Sequence, residues 1–482
     1  MNQPLPEGFR VILDPKALRT DAGRLLIGGS PITAMRLAPA TAAHLVDGRV
    51  IVTDAVSAQL ADRLVATNIA YPDVRSMAPA GPDEITVVVP VRDRPGQLDQ
   101  CLAALAPLAV VVVDDASLDP AAVATVARQH GARLIRLTEN LGPAGARNAG
   151  LAEVTTNLVA FVDSDVEVYA NDLMGLTRHF ADPAVALVGP RIMGRTRSKR
   201  PKWFEEYDAA SSSLSLGRAP STVRPGAAVA WLPSACLVAR TSVLESGFDA
   251  SLRVGEDVDL VWRLAAAGHR VRYDPDVVAG HDVRTSVGGW LGRKFVYGTG
   301  GALLAQRHGA HIAPAVLSPS MAVAGIALLV RRRWSAPVAL VGLVAATRTV
   351  QRSLPQTVDR HTRMRVAAGL SARGLGWAIR QESALLLRHW WPLTLLGIWS
   401  RHVRRAVATA LVLDAYLALV EVTPTGPSLP VRLVGRRLDD LAYGSGLWWG
   451  ALRARSTVAL GPRRPGRPDK APRDTSPLTT RP

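Results

Sequence analysis

The sequence predicts an α/β protein with a largely parallel sheet at its centre. Three observations point there. Between Ile85 and about His308, short apolar runs (ITVVVPV, AVVVVDD, ARLIRL, LVAFVDSD, AVALVG) alternate with helix-length amphipathic segments (PGQLDQCLAAL, PAAVATVARQHG, PAGARNAGLAEV). The runs are continuous and rich in β-branched residues, which marks strands covered on both faces and joined by crossover helices. Two of them end in paired acids, Asp114-Asp115 and Asp163-Ser164-Asp165, and such sheets bind ligands at the carboxyl ends of their strands.

The flanking segments read differently. Residues 1–75 form a small unit, with short apolar runs around LLIGGSPITAMRLAPATAAHL and then the helical stretch SAQLADRLVATN. Charges interrupt every apolar stretch of MNQPLPEGFRVILDPKALRTD, so this is not a signal peptide. YPDVRSMAPAGPDE is a Pro/Gly linker, which places the sheet domain at 84–310. From 311 to 460 the chain is apolar and helical. AVLSPSMAVAGIALLV holds sixteen uncharged residues ahead of RRRW, APVALVGLVAAT follows, and two more apolar helices centre on LLLRHWWPLTLLGIW and AVATALVLDAYLALVEV. A spanning helix needs about 20 apolar residues, so these segments suit either a buried bundle or a membrane-associated region. Arg331–Arg333 and the nearby Trp residues favour the membrane, on its cytoplasmic face. The tail, 461–482, is rich in Pro and Arg and predicts disorder.

The net charge of +17 suits a polyanionic ligand or an anionic surface. Nucleic acid is a poor fit, because the basic residues are scattered without interleaved aromatics or a reader motif. Cys101 and Cys236 sit apart in apolar stretches, offering neither a zinc pattern nor a disulfide framework, as in a reducing intracellular setting.

Several residues can carry chemistry. Asp163 and Asp165 close an apolar strand with one residue between them. That spacing offers hard oxygen ligands to Mg²⁺ or Mn²⁺ bridging a diphosphate, and it also makes an ordinary acidic turn. Glu167, two residues on, reads as a solvated bystander. Asp115 can accept hydrogen bonds from a nucleobase or ribose, or cap a turn. The turn Pro90-Val91-Arg92-Asp93-Arg94 carries arginines able to face phosphates. ENLGPAGARNAG opens a helix with free N–H groups, and Arg147 adds a fixed positive charge for a diphosphate; no Gly-Lys-Ser/Thr follows, so it is not a P-loop. Asp257, at a helix start, serves either the helix dipole or a general base beside a substrate hydroxyl. His281 reads as structural, or as a metal or phosphate partner.

VVVPVRDRP, VVVVDDAS, NLGPAGARNAG, VAFVDSDVEV, WLPSACLVAR and GEDVDLVWRL follow the order and spacing of family 2 glycosyltransferases of the GT-A fold, which the chain resembles from Val87 to Leu264. The resemblance implies a nucleotide-sugar donor. Pro90, Arg92 and Asp115 would surround its base and ribose, and Asp163 and Asp165 would bind its diphosphate through a divalent metal, with His281 completing the metal site. Asp257 would be the base for an inverting attack on C1 of the sugar. Asp93 stands where the family usually has Asn, and the Gln-x-x-Arg-Trp motif of processive polysaccharide synthases is absent. Through RLAPATAAHL and SAQLADRLV the first 75 residues resemble winged-helix peptide-recognition domains of PqqD type. The whole layout is similar to that of mycofactocin-system glycosyltransferases. That implies transfer of glucose from UDP-glucose onto premycofactocin, or contact with its precursor peptide, building a β-linked oligoglucoside. A cell-envelope glycosyltransferase with a polysaccharide or lipid-linked acceptor is the alternative, in which the N-terminal unit has no evident place. A silent peptide-binding scaffold would not need Asp163, Asp165 and Asp257 together.

Overall fold

The structure, a computed structural model, describes residues 3–21, 23–356, 358–420 and 426–466. The chain divides into two compact units. One runs from the N-terminus to Pro201 and includes Asp208–Val283; the other comprises Lys202–Tyr207 and the chain from Arg284 onward.

The first unit is built on a nine-stranded sheet of β1 (Ile85–Val91), β2 (Ala109–Asp114), β3 (Arg133–Arg136), β4 (Leu158–Val162), β5 (Val166–Glu167), β6 (Val185–Arg195), β7 (Ser221–Val223), β8 (Cys236–Arg240) and β9 (Arg270–Asp282). The strand order is β5-β9-β6-β8-β4-β1-β2-β3, with β7 on β9. The helices are α1 (Pro95–Leu105), α2 (Pro120–Gln129), α3 (Gly142–Leu151), α4 (Ala170–Thr177), α5 (Trp203–Ala210), which crosses the division of the chain, and α6 (Glu256–Ala266). Each apolar run of the sequence is a strand, and in the central ones the branched side chains are buried on both faces: Val87, Val88 and Val89 in β1, and all of Leu158–Val162 in β4. Strands β4, β1, β2 and β3 are mutually parallel, and α3 closes over them where Gly150 leaves no room for a Cβ beside Val88. The rest of the sheet is mixed. β8 lies antiparallel to both β4 and β6, so the parallel expectation holds for one half only.

The N-terminal lobe has its own core, including Phe9, Val11, Leu26, Leu64 and Ile69. It combines two three-stranded sheets with the helix Ala55–Ala66, whose start is capped by Asp54 accepting the Ser57 N–H at 2.8 Å. A polar seam joins it to the large sheet. Asn68, at φ 59°, donates to the Thr222 carbonyl at 2.9 Å and accepts the Thr222 N–H at 2.5 Å, both on β7. Arg270 reaches Asp62 of the lobe at 2.5 Å and also pairs with Asp182.

The second unit is helical: α7 (Val287–His308), α8 (Pro319–Val330), α9 (Ser335–Ser353), α10 (Arg360–Ala384), α11 (Arg401–Val420) and α12 (Leu429–Ala454). α7 and α12 touch backbone to backbone, since a Cβ on Gly446 would run into the Phe295 carbonyl. The first compact unit ends at Val283, ahead of the 310 expected for the sheet domain. LLLRHWWPLTLLGIW is not one helix. After Ala384 the chain breaks into the short turns Leu385–His389, Trp391–Thr394 and Leu395–Ile398, around Pro392, which has no N–H to continue a helical ladder. Among the described residues no helix is long and apolar enough to cross a membrane. Of the expected disordered tail, Arg463 pairs with Val316 in a short parallel bridge, and 467–482 lie outside the described residues.

Candidate active site

The site residues gather at the carboxyl ends of β1, β2 and β4. Beyond β1 the chain turns through Asp93, whose φ of 56° is a left-handed conformation that Asp and Asn enter more readily than most residues. Asp93 accepts the Leu118 N–H at 2.6 Å and donates its own N–H to Ser117 Oγ at 2.9 Å; Ser117 N–H in turn donates to Asp114 at 2.9 Å. The residue that departs from the family pattern therefore splices the first two loops together. Pro90 is half-buried opposite Val113, and Arg92 is exposed, 3.6 Å from Asp93. Asp115 is buried and accepts N–H groups from Leu141 at 2.7 Å and Gly142 at 3.0 Å. It fixes the start of α3, so two N–H groups at the helix start, those of Leu141 and Gly142, already meet a carboxylate.

After β4 a tight turn closes with the Val166 N–H on the Asp163 carbonyl, 2.9 Å. β5 then pairs with the end of β9, which sets Val166 opposite His281 and brings His281 Nε2 to 3.7 Å from Asp165 Oδ1. The other oxygen of Asp165 accepts from the guanidinium of Arg94. Asp163 faces the other way and accepts from Arg147 at 2.6 Å; Arg147 also reaches Glu256 at 3.1 Å. Arg147 is only 2% exposed. It is thus an internal tie between the acidic turn and α6, where the sequence reading set it facing a diphosphate. A buried guanidinium with two carboxylate partners satisfies donors that would be costly unpaired.

Asp257 begins α6, where Gly255 at φ 86° lets the chain swing into the helix. Its carboxylate accepts N–H groups from Val258 at 2.8 Å and Ser234 at 3.3 Å. Burial first, and the adjacent Glu256 second, push its pKa up to about 7, against the two N–H groups and Arg147. A carboxylate poised near neutrality can accept a proton from a hydroxyl, which a purely dipole-capping acid does not need to do.

Among the described residues no three His, Cys, Asp or Glu side chains are grouped to hold a metal. Of the expected set, Asp165 and His281 lie 3.7 Å apart, and Asp163 pairs with Arg147. An oxygen and an imidazole nitrogen still suit a divalent ion that takes its other ligands from phosphate and water.

Three contributors carried no signal at the level of local pattern: Gln97, Glu256 and Asp282. Asp282 follows His281 and accepts from Gln97 at 2.8 Å and Arg197 at 2.6 Å, anchoring this end of β9. Glu167 pairs with Arg195 at 2.6 Å and belongs to the same wall, so it is not a solvated bystander. Cys101 and Cys236 are buried and unlinked, and burial raises both thiols beyond reactive range.

Comparison with known proteins adds an independent line. The profile of glycosyl transferase family 2 matches residues 86–224, and that of glycosyl transferase family group 2 matches residues 158–418. A pre-mycofactocin glycosyltransferase of Mycobacterium tuberculosis is 39% identical over 473 residues, covering 95% of this chain and 98% of its own. The succinoglycan biosynthesis protein ExoO of Rhizobium meliloti is 32% identical over 189 residues, 34% of this chain and 49% of its own. A mannosyltransferase of Pyrobaculum calidifontis, solved with GDP-Man and Mn²⁺, superposes with a TM-score of 0.41 at 20% identity, over 78% of this chain and 90% of that one.

Proposed function

The chain belongs to the family 2 glycosyltransferases, and we propose that it transfers glucose from UDP-glucose to premycofactocin with inversion, extending a β-linked oligoglucoside on that peptide-derived redox cofactor. The observation that carries the mechanism is Asp257, a carboxylate with a raised pKa on an element tied to the acidic turn through Arg147. In the proposed step the acceptor hydroxyl oxygen attacks C1 of the sugar from the face opposite the diphosphate, and its proton passes to Asp257. The new C1–O bond forms as the bond from C1 to the diphosphate oxygen breaks, and UDP leaves with that electron pair. A divalent metal on Asp165 and His281 would offset charge on the leaving diphosphate. Arg92 and Arg94 stand beside the same strand end, where guanidinium groups suit phosphate oxygens.

The acceptor preference draws support from the relative's name and from the N-terminal lobe, which we assign as the PqqD-like peptide-recognition unit. We also propose that the enzyme works at the cytoplasmic face of the membrane, a reading supported by Arg331–Arg333 and the Trp residues near the apolar helices. The test is incubation of the purified chain with a panel of nucleotide sugars and with premycofactocin-like or lipid-linked acceptors, followed by mass analysis. Successive hexose additions to premycofactocin from UDP-glucose are expected. Transfer to lipid-linked acceptors alone would overturn the acceptor assignment in favour of a cell-envelope enzyme.

A further inference from the structure

Helix α11 wears its apolar side chains on the wrong side for a helix packed in water. Its inward residues are small, with Ala410 and Ala418 buried. Its outward face runs at helical spacing through Arg401, Arg405, Val412, Tyr416 and Leu419, and the last three are 67%, 60% and 53% exposed. The preceding turn continues the display, with Ile398 at 67% and Trp399 at 78%. This turn is held in place, because Arg404 donates to the carbonyls of Gly397 at 2.8 Å and Ile398 at 3.2 Å. Exposed apolar groups at both ends of one helix face, with arginines between them, mark an interaction surface.

Its charge pattern selects the occupant. Residues 311–460 contain nineteen Arg, no Lys and only six acids. On α11 the one acid, Asp414, is engaged by Arg436 at 3.4 Å and Arg437 at 3.1 Å, which leaves arginine as the charge on the outward face. A second copy of the chain would set Arg401 and Arg405 against either the same arginines or an apolar surface, and both are costly. Trp399 and Tyr416 are amphipathic aromatics of the sort that settle at a lipid headgroup boundary. A helix with an apolar outward stripe beside arginines suits contact in the interface plane. We propose that the outward face of α11 and the turn before it rest on an anionic lipid surface, with Val412, Tyr416 and Leu419 among the outer acyl chains and Arg401 and Arg405 on lipid phosphates.

Co-sedimentation of the full chain with vesicles tests this without reference to transfer. Binding to phosphatidylglycerol–phosphatidylcholine vesicles should be about tenfold tighter or more than to phosphatidylcholine alone, and should weaken with salt. Val412→Asp with Leu419→Asp should abolish sedimentation on both vesicle types while UDP binding and circular dichroism stay unchanged. Arg401→Gln with Arg405→Gln should remove the anionic preference alone. Equal failure to sediment with either vesicle overturns the proposal. So does a wild-type dimer that the Val412→Asp, Leu419→Asp protein dissociates without any vesicle binding, since the face would then join two copies.

Discussion

Replacing Asp257 by Asn should stop transfer, leave donor binding intact and make the protein more stable than the wild type at pH 8. The folded protein raises this carboxyl from 3.8 to about 7, through burial first and Glu256 second. The folded state therefore holds the proton more tightly than the unfolded chain, and stability falls as pH rises from near 4 to near 7. At 1.36 kcal/mol per unit, the full penalty is at most about 4 kcal/mol, of which roughly 2–3 kcal/mol develops between pH 5 and pH 8. Asn is neutral throughout and keeps an oxygen for the Val258 or Ser234 N–H, so it escapes the penalty. Urea unfolding of both proteins at pH 5 and pH 8 should show the difference shifting by about 2 kcal/mol in favour of Asn. The wild-type rate should bend in the same window, with about half the base unprotonated at pH 7 and about one-hundredth at pH 5. A stability difference that does not vary with pH, or wild-type transfer by the Asn protein, would return Asp257 to a helix-dipole role.

Arg147→Met strands the Asp163 and Glu256 carboxylates, which should cost about 3–5 kcal/mol and lower the melting temperature; an unchanged melting temperature would deny the tie its role. Asp165→Ala should abolish donor turnover and the Mn²⁺-dependent part of UDP binding measured by calorimetry, and normal metal-dependent binding would sink the assignment of Asp165. Asp115→Ala removes the acceptor for the Leu141 and Gly142 N–H groups, so stability should fall by about 1–3 kcal/mol and the donor KM should rise; a KM equal to wild type would separate this loop from the nucleotide.

The elements that could be read from sequence are those whose signal is complete within a single segment. ITVVVPV and LVAFV need only their own side chains to be strands, and both are. Direction and partnership are different. CLVAR is as apolar as its neighbours, but nothing in its pattern says that it runs antiparallel, and α7 reads the same whether it closes one unit or opens the next. The site divides along the same line. Asp163, Asp165 and Asp257 are legible because strand ends and helix starts are local features, but their partners come from other loops. That changes the electrostatics of the site. A cluster of carboxylates read alone would repel a diphosphate, whereas Asp163 shares Arg147 with Glu256 and Asp165 holds Arg94. The guanidinium on Asp165 occupies the position in charge that a divalent cation would take. If Asp165 holds a divalent ion as proposed, Arg94 would have to give up its place on that carboxylate, and its guanidinium would remain beside the strand end proposed to meet the phosphates.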